Sequence, residues 1–189
     1  MPDTSFTQLT SARLVLRRFV PADTDIFVAY RSDPEVARYQ GWEAPYPHQA
    51  GQQMIGGLQA SHPDTPGEWF QFALTLRSTG ELIGDLGCGI DGPDDRQAEI
   101  GFTLRPGFTG HGYATEGAVL LLGYLFTERG KHRVRAECDA RNTASAAVLD
   151  RIGMRREGWR RESTWAKGEW TDDLLYAMLD REWAKRSST

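Results

Sequence analysis

Cysteine is scarce in this sequence, and no hydrophobic run is long enough to span a membrane. The two cysteines, Cys88 and Cys138, form no motif with each other, and neither has a histidine at the spacing of zinc ligands. We therefore predict two reduced, buried thiols and no metal site. The amino terminus, Met-Pro-Asp-Thr, lacks the basic start and apolar core of a signal peptide, which predicts a soluble cytoplasmic protein without a membrane partner.

An excess of basic charge is also missing. The chain carries 22 Lys and Arg against 26 Asp and Glu, a formal net charge of −4, whereas nucleic-acid binding needs a clustered basic surface. The dense basic stretches, 131–135 and 155–161, alternate with apolar residues and are interpreted as solvated faces of strands. No nucleic-acid partner is expected.

The remaining composition is that of an ordinary globular domain. The chain has 189 residues, of which 40% are hydrophobic and 25% are charged, so it can bury a core without metals or disulfides. No internal repeat or linker interrupts it. We predict one domain over 1–189, with its core at about 13–179.

Periodicity and composition predict seven strands and four helices. The strands are 13–19, 69–76, 82–90, 98–104, 133–138, 155–165 and 170–179, and the helices are 21–31, 48–61, 114–127 and 142–152. The first strand is expected to be an edge strand or half-buried. Because a buried helix joins the fourth and fifth strands, a right-handed crossover makes those two strands parallel. The predicted fold class is therefore α/β (α+β), with one mixed central sheet.

The segment Arg105-Pro-Gly-Phe-Thr-Gly-His-Gly-Tyr-Ala-Thr-Glu116 carries the clearest chemical signal, because it joins a strand to the buried helix. Gly110 and Gly112 let the backbone pass close to a ligand, and the free N–H groups of the first helical turn point at one place. Such a place binds phosphate. This pattern predicts a phosphate-binding site within 108–116, although a tight turn without a ligand is the alternative.

Two other phosphate-binding motifs do not fit the segment. A Walker loop requires Gly-Lys-Ser/Thr, which is absent, and a dinucleotide fingerprint requires a third glycine where Thr115 stands. A nicotinamide oxidoreductase therefore remains only a third hypothesis for the function.

The same segment resembles motif A of the GNAT superfamily of acyl-CoA-dependent N-acyltransferases. That motif reads Gln/Arg-x-x-Gly-x-Gly/Ala at a strand-to-helix junction, and Thr109-Gly-His-Gly112-Tyr-Ala114 fits it except at Thr109. Because backbone amides do most of the pyrophosphate binding, the resemblance implies that the site tolerates this departure.

A second resemblance follows in Asn142-Thr-Ala-Ser145-Ala-Ala-Val-Leu149-Asp-Arg-Ile-Gly153-Met154, which is similar to motif B of that superfamily. Asn142, Ser145, Leu149 and Ile152 are three or four residues apart, so we expect them on one helix face, turned toward the cofactor. A helix cap and a filler residue are the alternatives for Asn142 and Ser145. The Asn-x-x-Ser form, the strand 98–102 and the hairpin 167–172 resemble the RimJ/RimL-type ribosomal-protein acetyltransferases.

The resemblance implies a GNAT fold, with helices on both faces of a sheet that splays between its fourth and fifth strands, and acetyl-CoA as the cofactor. The pantetheine arm would lie in the gap, against the backbone of 102–104. The residues assigned to the cofactor in this way are Phe102, Thr103, Leu104, Thr109, Gly110, His111, Gly112, Tyr113, Ala114, Thr115, Asn142 and Ser145.

The implied amine acetylation needs a base, because a free amine with a pKa of about 10 is mostly protonated at neutral pH. Glu99 is the first candidate, since apolar neighbours on its strand raise the pKa of a carboxyl group; a solvated or ion-paired glutamate is the alternative. Glu43 is the second candidate. Many GNAT enzymes carry a tyrosine that protonates the departing thiolate, and Leu149 stands at its place, so Ser145 is the expected donor.

The acceptor pocket is expected to combine aromatic residues of an early loop with those of the last hairpin. These residues are Tyr39, Trp42, Tyr46, Trp165 and Trp170. Clustered aromatic rings contact ammonium groups, although core filling under long loops is the alternative.

Two hypotheses for the function lead. The first is an N-acetyltransferase whose partner is an amine-bearing small molecule or a peptide N-terminus. The second is a catalytically degenerate acyl-CoA-binding sensor, which Thr109 and Leu149 favour. The protein is expected to be a monomer or a homodimer.

Overall fold

The computed structural model describes residues 3–186, whose centre is one mixed sheet of eight strands. In chain order the strands are β1 Gln8–Thr10, β2 Leu14–Arg18, β3 Trp69–Leu76, β4 Leu82–Ile90, β5 Gln97–Leu104, β6 Arg133–Asp139, β7 Arg155–Ala166 and β8 Glu169–Leu179. The helices are α1 Thr24–Arg31, α2 Pro34–Ala37, α3 His48–Ala60, α4 Tyr113–Gly123, α5 Thr143–Arg151 and α6 Asp180–Arg186. A 3₁₀ turn, Pro21–Asp23, precedes α1, and a π-helical turn, Tyr124–Glu128, extends α4.

The predicted crossover is present. The strands lie in the order β1-β2-β3-β4-β5-β6-β8-β7, and β5 and β6 are parallel while their other neighbours pair antiparallel. Helix α4 connects β5 to β6, as the buried apolar segment predicted. The prediction of a mixed α/β sheet is therefore confirmed.

The sheet opens between β5 and β6. These strands pair only at Gln97–Arg133, Ala98–Val134 and Glu99–Arg135, whereas β5 stays paired with β4 as far as Leu104. From Ile100 to Leu104, β5 has no paired strand residue on its β6 side within the described part of the chain. The predicted splay between the fourth and fifth predicted strands is therefore confirmed.

Helices cover both faces of the sheet. Asp85 and Leu86 are consecutive on β4, so their side chains point to opposite faces. Tyr30 of α1 donates a hydrogen bond to Asp85. Leu86 contacts α4 on the other side, where a Cβ on Gly117 would lie 3.1 Å from its Cδ1. Helices α1 and α4 thus lie on opposite faces, with the buried core between each helix and the sheet.

The sheet has one strand more than the seven predicted. Strand β1 is only three residues long, too short to show a periodic pattern, and it pairs with the outer side of β2. The half-buried character predicted for β2 is confirmed, because Leu14 and Leu16 are fully buried while their neighbours are partly exposed. The edge position, the other option predicted for this strand, is not observed, because β1 lies outside β2.

The cysteine prediction holds in part. Both thiols are free, but only Cys88 is buried, and Cys138 is half-exposed. Burial raises the pKa of the Cys88 thiol to about 12 and that of the Cys138 thiol to about 11. Neither side chain is therefore an activated thiolate at neutral pH.

The two basic stretches differ in the structure. Arg155 and Arg161 are exposed on β7, as predicted. Lys131, in contrast, is only 4% exposed and contacts the buried carboxylate of Asp64, which also pairs with Arg129 at 2.7 Å. The solvated position expected for Lys131 was wrong, because its ammonium group neutralises a buried charge.

Replacing Lys131 by methionine is expected to lower the free energy of unfolding by about 3 kcal/mol, since removing one partner leaves a buried charge undercompensated. Denaturant titration with far-ultraviolet circular dichroism measures this loss. Arg96→Met is the matched control, because the Arg96–Asp94 pair is exposed and such pairs contribute little. Equal midpoint shifts in the two variants would contradict the assignment.

No helix within residues 3–186 is long and apolar enough to cross a membrane. The predictions for the amino terminus and for a domain over 1–189 extend to residues 1–2 and 187–189, which lie outside the described residues.

Candidate functional site

A cavity of about 1580 Å³ lies at the opening between β5 and β6. One end is formed by the loop and helix start over 109–116, and α5 contributes one wall. The lining also includes residues of and around α2, namely Asp33, Glu35, Val36 and Gln40. Gln40 donates to Thr103 on the same sheet face as α1, so the cavity passes through the sheet.

The start of α4 is built to expose backbone donors to this cavity. Gly112 precedes the helix in a left-handed conformation with φ of 78°, and Gly110 adopts φ of 79°. Non-glycine residues rarely adopt these angles. The N–H groups of Tyr113, Ala114 and Thr115 belong to the first turn, where a helix provides no internal acceptor. They and the positive end of the helix dipole create a site for an anion.

A carboxylate on α4 anchors this loop to the turn before β2. Glu116 accepts hydrogen bonds from the Ser11 hydroxyl at 2.7 Å and from the Arg13 Nε at 2.6 Å. Arg13 also donates to the His111 carbonyl at 3.0 Å and lies over the Tyr113 ring. Although burial acts in the opposite direction, the bonds from Ser11 and Arg13 hold the pKa of Glu116 below its usual value.

Sequence reasoning placed Glu116 in the site segment but missed Arg13 and Ser11, to which Glu116 is hydrogen-bonded. Arg13 and Glu116 are separated by 103 positions, and no local pattern marks a contact over such a distance. Arg151 of α5 was also missed; it lines the cavity and lies 3.4 Å from the Thr115 hydroxyl.

The structure brings most of the predicted cofactor residues together. Those that line the cavity are Phe102, Thr103, Leu104, Thr109, Gly110, His111, Gly112, Tyr113, Ala114, Thr115 and Ser145. Asn142 does not line it. Its side chain accepts a hydrogen bond from the Ser145 N–H at 3.1 Å and caps α5, which was the alternative considered for this residue.

The predicted orientation of α5 needs correction. Leu149 and Ile152 were expected to face the cofactor with Ser145, but they are 1% and 0% exposed and belong to the core. The cavity is instead lined by Ala144, Ser145, Ala147, Val148 and Arg151. The difference arises because the sheet, and not the cavity, receives the most apolar stripe of the helix.

The two candidate bases lie apart. Glu43 is exposed in the loop after α2 and does not line the cavity. Glu99 lies on β5, on the face shared with Thr103, with its carboxylate 3.1 Å from Arg135. Glu99 is therefore ion-paired, which was the alternative to its role as a base. Burial raises the pKa of Glu99, and this effect outweighs the opposing charge of Arg135.

The aromatic residues expected around the acceptor form two separate groups. Trp42 and Tyr46 are half-buried and enclose the Arg31 guanidinium, at 4.0 and 5.5 Å from their ring centres. Trp165 and Trp170 contact each other at 5.4 Å on the exposed β7–β8 hairpin. The Tyr39 ring, apart from both groups, has the Arg38 and Arg141 guanidinium groups 5.2 and 5.9 Å from its centre. None of these five lines the cavity within the described part of the chain.

Comparison with known proteins identifies the family. The protein-family model described as acetyltransferase (GNAT) domain matches residues 13–155. The chain belongs to the GNAT family of N-acetyltransferases. Uncharacterized N-acetyltransferase p20 of Bacillus licheniformis is 32% identical over 180 residues, which cover 93% of this chain and 98% of that protein.

Other GNAT relatives carry more specific names. The [ribosomal protein uS5]-alanine N-acetyltransferase of Escherichia coli (strain K12) is 25% identical over 76% of this chain and 69% of that protein. The crystal structure of a GNAT-family acetyltransferase from Bacillus anthracis superposes with a TM-score of 0.83, at 29% identity, covering 93% of this chain and 100% of that one. The resemblance to the GNAT superfamily and to its ribosomal-protein branch is confirmed.

Proposed function

We propose that the protein transfers an acetyl group from acetyl-CoA to a primary amine, by direct attack, on a small molecule or a peptide N-terminus. The observation that carries this proposal is the continuous cavity through the splayed sheet. It joins the backbone donors at the start of α4 to the acidic end beside α2, with Asp33 and Glu35. Acetyl-CoA has an anionic diphosphate at one end and a reactive thioester at the other, which fits such a cavity. The carboxylates of Asp33 and Glu35 suit a cationic acceptor.

The residues present fit coenzyme A along the whole passage. The first-turn N–H groups of α4 suit a diphosphate, and Arg151 adds positive charge at the same end. Beyond Glu99, the β6 side of β5 offers backbone N–H and C=O groups without a strand partner. An amide-bearing arm can pair with these groups as a strand would.

Bound acetyl-CoA would supply the acetyl group as a thioester. The unpaired backbone of β5 would hold the carbonyl in place, and an N–H group there would stabilise the negative charge that develops on its oxygen. An amine that forms the new N–C bond would release the CoA thiolate. Glu99 receives the amine proton, through water because it lies outside the cavity lining, and Ser145 donates toward the sulfur.

The acceptor class follows from the chemistry of the site and from relatives. A relative named for acetylating the alanine of a ribosomal protein supports a peptide N-terminus as one candidate. The carboxylates of Asp33 and Glu35 suit any amine that arrives protonated.

A thiol-release assay with acetyl-CoA and a panel of amines tests the proposal. We expect release of free CoA that depends on the amine, with a matching acetylated product by mass spectrometry. Binding of acetyl-CoA without amine-dependent release would support the alternative, an acyl-CoA-binding sensor without turnover.

Replacing Ser145 by alanine is expected to lower kcat about tenfold and to leave CoA affinity nearly unchanged. The effect stays below the 10²- to 10⁴-fold typical of general acid–base groups, since a CoA thiolate leaves readily. Steady-state kinetics and calorimetry measure the two quantities. Thr143→Ala is the control, because Thr143 lies at the start of the same helix but does not line the cavity. An unchanged kcat would remove Ser145 from the mechanism.

A further inference from the structure

Trp69 forms a flat aromatic surface on the face of the sheet that carries Glu99. Its ring lies across the glycines of two neighbouring strands: a Cβ on Gly87 would lie 2.5 Å from its Nε1, one on Gly89 2.6 Å from its Cε3, and one on Gly101 3.5 Å from its Cζ2. Any side chain at Gly87 or Gly89 would displace the ring. Yet Trp69 remains 45% exposed, so its outer side is open to a ligand.

A buried polar network holds the ring in this orientation. The indole N–H donates to Gln71 Oε1 at 2.7 Å, and the Gln71 amide donates to Asp85. Asp85 is fully buried and is also contacted by Tyr30 and, at 3.4 Å, by Arg31. Burying a carboxylate is costly even when it is paired. The buried network therefore fixes the orientation of an exposed aromatic ring. This distinguishes Trp69 from the scattered exposed apolar residues that are common on protein surfaces.

The position of the ring connects it to the proposed reaction. Glu99 is directly opposite Gly89 in the pairing of β4 with β5, beside the six-membered part of the ring. Gly101, under the other end of the ring, is two residues from Thr103, which lines the cavity; that separation is about 7 Å along a strand. The ring thus lies beside Glu99 and Gly101 on the β4 side of β5, and the sheet opens on the β6 side of the same strand.

From this geometry we infer that Trp69 is the floor of the acceptor site and selects primary amines carried on a flat apolar stem. The inference rests on the proposed function and adds the substrate class. The ring face attracts an ammonium group and stacks on a planar stem. Glu99 provides the negative charge beside it, where it also receives the amine proton. Gln71 acts as a positioning residue because it accepts the indole N–H, and Asp85 acts through its hydrogen bond with Gln71.

Binding of two amine probes to the CoA-loaded protein tests this inference. The probes are 2-phenylethylamine, which carries a flat stem, and ethylamine, which does not. We expect the wild type to bind 2-phenylethylamine at least fivefold more tightly in an NMR titration. Trp69→Ala is expected to abolish that preference and to leave the affinity for CoA within twofold of the wild type. Trp69→Phe keeps a ring and should retain part of the preference.

Trp159→Ala is the matched control. Trp159 is also exposed and its indole N–H also donates to a side chain, Asp172, but it lies on β7. Equal affinity of the wild type for both amines, or an unchanged preference in both Trp69 variants, would overturn the inference. A preference that depends on Trp69, found together with no acetyl transfer, would contradict the proposed function. The same result would support Trp69 as part of an amine-binding site.

Discussion

Replacing Gly112 by leucine is expected to weaken coenzyme A binding at least 100-fold while the protein remains folded. Gly112 has φ of 78° and immediately precedes α4. A side chain in this conformation costs about 1–2 kcal/mol, and the backbone relieves that strain by rotating the peptide groups that direct the first-turn N–H donors. A Cβ would also lie 3.5 Å from the Arg13 guanidinium. Calorimetric titration with CoA measures the loss, which corresponds to about 2.7 kcal/mol.

Gly80→Leu is the matched control for this experiment. Gly80 has φ of 74°, a backbone conformation close to that of Gly112, but it lies in the β3–β4 turn and not at the cavity. The two variants should lose similar stability, and only Gly112→Leu should lose affinity for CoA. Unchanged CoA affinity in Gly112→Leu would remove the helix start as the diphosphate site and with it the basis of the proposed function.

Replacing Glu99 by glutamine is expected to reduce kcat/KM by about 10²- to 10³-fold, within the 10²- to 10⁴-fold contribution typical of a general base. The substitution keeps the size of the side chain and its capacity to hydrogen-bond with Arg135, 3.1 Å away, but it removes the proton acceptor. Steady-state kinetics with a fixed amine measure the change. Glu137→Gln is the control, because Glu137 of β6 is another ion-paired glutamate, bonded to Arg160 of β7. A loss of similar size in both variants would contradict a specific role for Glu99.

The pH dependence supplies an independent test of Glu99. Burial raises the pKa of this carboxyl group above its usual value, so Glu99 stays protonated to a higher pH than a solvated glutamate. A protonated carboxyl cannot accept the amine proton. The rate of the wild type should therefore rise as pH increases through this raised pKa, and the rise should be absent in Glu99→Gln. A profile that is the same in both proteins would assign the rise to the amine alone.

Much of the fold could be predicted because long periodic segments carry their own signal. The apolar segment after the glycine loop predicted α4 and, through the handedness of crossovers, the parallel pairing of β5 with β6. Strand β1 and helix α2 could not be predicted in this way. They have three and four residues, and tertiary contacts rather than local pattern hold such short elements.

The residues of the candidate site likewise fall into those that a local motif predicts and those that it does not. Residues 109–115 follow one another in the chain, so a single loop brings them together and one motif predicts them. Trp69 was missed although the sequence contains a signal for it. Gly87, Gly89 and Gly101 lie inside strands, where glycine often marks the close approach of another group.

The amino-acid order alone determined the strand-to-helix junction with its backbone donors, the mixed sheet and the family resemblance, because each depends on neighbours within one or two elements. Only the tertiary structure decided which face of α5 meets the cavity, that Arg13 binds Glu116, and that Trp69 lies beside Glu99. These contacts join residues far apart in the chain, and their geometry depends on how the helices and strands pack.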